Sequence, residues 1–225
     1  MGCLGRQVVT QLRPGATQGR AGACDSTPLA TGGGVWPKKP REHGVVPHSS
    51  IDPEAGWSKS GWPGWWDGWK LHVAVTVGSV WIPLAAELTG ANRGDTEEAP
   101  LVLEQLPEEV RSGWGDTHDN PPELRQECHR RGWELVAPRR GPYPHCDGGV
   151  EVRQVFHTLR AQAIEPFNGV FKNVFEWRGH MPVKGLQRSQ LLALGAVILS
   201  QLVLLYQHER NLPLGKSIKP FLRAA

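Results

Sequence analysis

The clearest pattern along the chain is a strict alternation from Trp69 to Val77, WKLHVAVTV, with apolar side chains at every odd position. Period-two alternation predicts a strand with one buried face. A second apolar run, Val80 to Leu88 (VWIPLAAEL), follows after Gly78-Ser79. A two-residue Gly-Ser connection between such runs predicts a hairpin. Pro83 has no N–H to give a ladder, so the second strand should lie at an edge or carry a bulge. Shorter runs predict further strands: one within AGACDSTPLA (21–30) ending near Asp25, a weak one over Glu109–Gly115, and WELVA at Trp133–Ala137.

Helical patterns fill the intervals. Asp95 to Leu106 opens with acidic residues, which suit the positive end of a helix dipole. Pro122 to Arg131 reads as a helix that Gly132 ends, and a longer helix runs roughly from Val152 to Glu176. The apolar helix 190–207 contains LLALGAVILSQLVLLY, Leu191 to Tyr206. Its sixteen residues fall short of the roughly 20 that a bilayer span requires, and Ser200 and Gln201 interrupt it. It therefore reads as a helix buried against the sheet. Thr31 to Asp67, punctuated by Gly, Pro and Trp, reads as a long ordered loop. The order of elements predicts an α/β domain over 21–207, with a mixed sheet covered by helices and a long loop insertion between the first two strands. Residues 1–20 read as a loose leader and 208–225 as a polar tail.

Charge and cysteine content change this picture only a little. A net charge of +3 excludes a polycation, so any nucleic-acid surface must come from local basic groups. Cys3, Cys24, Cys128 and Cys146 show no tight framework, which suits a reducing, cytoplasmic compartment. The neighbours Cys128-His129 and His145-Cys146 lack the two-to-four-residue spacing of a zinc knuckle. Arg6, Arg13 and Arg20 stand where a signal peptide would need an apolar stretch.

Three acidic residues sit where chemistry could use them: Asp25 in CDSTPL, Asp116 in GDTHDN, and Glu165 in AQAIEPFNGVFKNVFEW. Strand ends commonly present functional groups in α/β sheets. A pair of divalent metals needs carboxylates gathered from separate elements. Together with HSSIDPEAGWSKSGW, GWKLHVAVTV, PLAAELTGANRGDTEEAP, GDTHDNPPELR and RAQAIEPFNGVFKNVFEW, these residues resemble the DDE transposases of bacterial insertion sequences. The similarity is to the insertion-sequence-4/5-type branch, whose catalytic domain has an RNase H-like fold. It runs from about Ala23 to Tyr206.

The resemblance implies that Asp25, Asp116 and Glu165 hold two Mg²⁺ or Mn²⁺ ions and catalyse DNA cleavage and strand transfer. Lys172, with six residues between it and Glu165, matches the family's phosphate-binding lysine, and Arg160 its upstream arginine with one residue more than the usual gap. Pro166 directly after Glu165 suggests that this Glu lies at a kink or an N-cap. Asp52 in SSIDPEA is a rival for the first carboxylate, with Asp25 preferred because it follows a strand. Lys38, Lys39, Arg139, Arg140 and Lys70 are candidates for contacts to DNA phosphates. The implied partners are transposon ends and target DNA, without a membrane, and a homodimer would suit a synaptic complex. An alternative reading is a truncated, catalytically inactive DNA-binding remnant, because relatives carry a substantial region ahead of the first Asp.

Overall fold

The computed structural model describes residues 10–12, 21–32, 43, 51–60, 64–78, 80–107, 110–115, 122–137, 149–177, 180–214 and 219–223. Six strands form one mixed sheet: β1 (Ala21–Ala30), β2 (Gly56–Ser60), β3 (Gly64–Thr76), β4 (Pro83–Gly90), β5 (Ser112–Trp114) and β6 (Glu134–Val136). The helices are α1 (Asp95–Glu104), α2 (Pro122–Arg130), α3 (Gly149–Val174), α4 (Leu186–Glu209) and α5 (Lys219–Arg223). The expected mixed α/β class is what the chain adopts.

The alternation at 69–77 sets the sheet's two faces. Trp69, Leu71, Val73 and Val75 pack with Ala163, Ile164, Phe167 and Phe171 of α3 and with Ala193, Ala196 and Val197 of α4. On the other face Ala74 joins Val102 and Leu103 of α1 and Leu124 and Cys128 of α2. Leu12 is buried in that second cluster. β3 pairs antiparallel with β1 and β4, while β1 pairs parallel with β5, and β5 with β6.

Three expectations change here. Thr31–Asp67 is not simply a loop, because β2 and the start of β3 form an antiparallel hairpin within it, from Gly56 opposite Gly68 to Ser60 opposite Gly64. Trp and Gly there hid a ladder in which Lys59 lies over Trp65, 5.8 Å from its ring centre. Gly68 is needed in it, since a Cβ would come 2.4 Å from the Leu29 carbonyl oxygen. The β3–β4 turn is wider than two residues. Thr76 closes it, donating from Oγ1 to the Val80 carbonyl (2.7 Å) and accepting from the Ile82 N–H (3.0 Å). Pro83 opens β4, and the ladder shifts register between Ala74 and Val75.

The third change concerns α4. It is longer than expected and only half enclosed: Ser189, Ala193, Val197, Ser200, Gln201, Val203, Leu204 and Gln207 are buried, yet Leu191 is 79% exposed. Its polar interruptions have a use. Gln201 Nε2 donates to the Pro83 carbonyl (2.7 Å) and Gln190 Nε2 to the Leu88 carbonyl (3.3 Å). These bonds satisfy carbonyls that β4, paired on only one side, leaves without a strand partner. α4 is also the one described helix long and apolar enough to cross a membrane, although 44% of its most apolar window is buried in the protein.

Candidate functional site

Asp25 lies in the middle of β1 rather than at its end, opposite Val73. β1 continues to Ala30 because β3 is long enough to pair with all of it, so the polar CDST sequence is no stop signal. Ala23, two residues earlier, shares Asp25's face and belongs to the cluster beneath α3. Asp25 therefore looks toward α3, where Arg160 meets it with Nη2 3.0 Å from Oδ1. The pair is poorly solvated, with side-chain exposures of 27% for Asp25 and 11% for Arg160. Arg160 Nε is buried and makes no hydrogen bond.

Glu165 is in the interior of α3, which passes through Pro166 without ending. It is exposed, whereas Ile164 and Phe167 beside it are buried. At about 100° per residue, Glu165 is turned some 140° from Arg160 and nearly in line with Lys172, two turns on. Arg160 thus reaches Asp25 from the sheet-facing side of the helix, and Glu165 with Lys172 forms a separate row beside it. Among the described residues, no three His, Cys, Asp or Glu side chains gather closely enough to hold a metal ion. Asp116 lies outside the described residues, as do Lys38, Lys39, Arg139 and Arg140. Gly115, immediately before Asp116, borders a cavity on the α1 side of the sheet with Cys24, His72, Asp95 and Gly113; Asp25 also borders it, although its side chain turns the other way, toward Arg160.

Lys70 and His72 occupy the opposite face of β3, under α1. Lys70 Nζ donates to the Arg93 carbonyl (3.1 Å) and lies 3.4 Å from Asp95 Oδ1. His72 Nε2 is 2.9 Å from Thr89 Oγ1, and its Nδ1 is 3.5 Å from Asp95. Burial lowers the His72 pKa, with Lys70 adding to the effect and Asp95 and Glu98 opposing it. Lys70 is thereby committed to internal contacts. Cys128 is buried on α2, and desolvation raises its thiol pKa, which suits a core residue rather than a metal thiolate.

Asp52, the rival first carboxylate, has another task. It is 1% exposed, and its Oδ1 accepts from the Glu54 N–H (3.2 Å) while Oδ2 accepts from the Gly185 N–H (2.9 Å). Glu54 Oε2 accepts from the Leu186 N–H (3.1 Å). The DPE segment therefore caps the start of α4, supplying acceptors that a helix N-terminus otherwise lacks. Gly185, at φ +85°, adopts the left-handed turn that this requires. Sequence reasoning missed this role; the signal was an acidic pair in a Pro turn, and its target lay 133 residues away. No family model, curated protein or solved structure matches this chain.

Proposed function

We propose that this chain is a DDE-type transposase catalytic domain of RNase H-like fold, performing metal-dependent DNA cleavage and strand transfer. The observation that carries the reading is the setting of Asp25. It sits on a central strand between an antiparallel and a parallel neighbour, faces a long helix, and lies beside β5, the strand that Asp116 follows in sequence. Set apart from the short β2, the strand order β4-β3-β1-β5-β6, with three antiparallel strands followed by two parallel ones, supports this reading. The donors fit the expected ions: carboxylate oxygens are hard ligands suited to Mg²⁺ or Mn²⁺, and the guanidinium beside Asp25 marks a point where positive charge is already stabilised. Asp25, Asp116 and Glu165 would hold the metal. A bound metal pair supplies an activated oxygen nucleophile and neutralises charge on the transferred phosphate. Arg160 and Lys172 would bind phosphate oxygens and orient the DNA strand. A cytoplasmic location and DNA partners follow from the same reading. The test is Mn²⁺- or Mg²⁺-dependent nicking of DNA carrying the element's ends, with loss in Asp25→Asn, Asp116→Asn and Glu165→Gln. Full activity in all three variants would refute it.

One observation favours a second reading, a DNA-binding remnant without catalysis: Asp25 is already engaged by Arg160, and Glu165 is exposed on a different side of α3. Calorimetric titration with Mn²⁺ separates the two. Catalysis requires binding that Asp25→Asn removes, whereas a remnant binds DNA with no metal response.

A further inference from the structure

α4 turns one side away from the protein. Leu191 is 79% exposed, Leu199 36%, Leu202 39% and Tyr206 45%, the last with Phe221 of α5 edge-on to its ring at 5.8 Å. Gly195 is exposed on the same side, and a Cβ there would meet nothing within 4 Å. Arg188 and Glu209, both exposed, close the two ends of this strip, which is about 30 Å long at 1.5 Å per residue. The strip follows a seven-residue repeat. Arg188, Gly195, Leu202 and Glu209 share one position of it, and Leu191 and Ile198 another. A repeat of this period keeps one seam facing one partner helix along its whole length. A bilayer would instead need an apolar surface all round, and the far side of α4 buries Ser189, Ser200, Gln201 and Gln207 against the protein.

We propose that this face of α4 is a dimer interface, pairing antiparallel with the same face of a second copy about a two-fold axis between Ile198 and Leu199. The pairs Arg188–Glu209, Leu191–Tyr206, Gly195–Leu202 and Ile198–Leu199 are all centred on that point. An isologous contact requires such self-complementarity. Leu202 of one copy fills the open space over Gly195 of the other, and each end matches an arginine with a glutamate. Parallel pairing would oppose arginine to arginine and glutamate to glutamate, and would leave two glycines facing across a void. The proposal does not depend on the catalytic reading.

Light scattering and sedimentation of the full chain test it. The expected mass is twice 24.8 kDa. Leu202→Asp should give a monomer with unchanged circular dichroism, since the side chain lies outside the core. Arg188→Glu and Glu209→Arg, each placing like charges together at both ends of the pair, should weaken the dimer about tenfold, and the double reversal should restore it. A monomeric parent chain, a dimer indifferent to Leu202→Asp, or a double reversal no tighter than the single variants would overturn the proposal. So would flotation of the parent chain with phosphatidylcholine vesicles, which would assign the face to lipid; recovery in the aqueous fraction is the expected result.

Discussion

Asp25 and Asp52 begin as rivals for one role, and the fold treats them in opposite ways. Asp52 is sealed from solvent, and both of its oxygens accept backbone N–H groups, one from Glu54 in its own turn and one from Gly185 at the start of α4. Asp25 keeps 27% of its side chain open and meets a long, rotatable arginine. Backbone donors cannot leave without undoing the cap. A guanidinium can swing to another anion at the cost of a rotamer change. The difference separates a carboxylate held by backbone donors from one paired with a side chain.

The largest expected effect breaks the comparison at its functional end. Asp25→Asn should lower DNA nicking about a thousandfold, roughly 4 kcal/mol in the barrier, with little change in the urea midpoint. Asp52→Ala should do the reverse. Losing its acceptors should destabilise the protein by about 2 kcal/mol, read as a lower urea midpoint, while the folded fraction keeps its specific activity. A variant at Asp52 that stays fully stable but loses nicking would reverse the assignment.

Smaller effects sharpen the contrast. Arg160→Gln removes the cation beside Asp25 and should raise Mn²⁺ affinity about tenfold in calorimetry, because the ion no longer competes with the guanidinium. Unchanged affinity would mean that the Asp25–Arg160 pair is architectural, like the Asp52 cap. The smallest effect lies on the sheet's other face. Because burial depresses the His72 pKa below 6.5, the unfolded chain takes up a proton first as pH falls. The stability gained from neutral His72 is therefore complete above 6.5 and declines below it, toward the folded-state pKa. His72→Gln should flatten that part of the profile of urea midpoint against pH.

Much of the architecture was legible from side-chain periodicity. The alternation of 69–77 became β3's two faces, and Gly132, at φ +69°, stands just past α2 where a helix stop was expected. The Trp-rich segment was not legible. Its strands mix Trp with Ser, Lys, Asp and Gly without a regular period, and their pairing depends on Gly68 admitting the Leu29 carbonyl, a contact between distant parts of the chain. The extent of β1 was hidden for a related reason: a polar strand persists where a longer partner supplies its hydrogen bonds.

By itself the sequence determined the local elements, the α/β class and the residue types available for chemistry, because propensity and hydrophobic period act over a few neighbouring residues. Only the tertiary structure decided how the acidic side chains are used. Asp52 was given to a helix 133 residues away, Asp25 was set against Arg160, and Glu165 was turned outward on the same helix. It also decided that α4 buries its polar glutamines and exposes its leucines. Mean hydropathy registers how apolar a helix is; which side faces the core depends on the carbonyls and side chains that the rest of the fold brings against it.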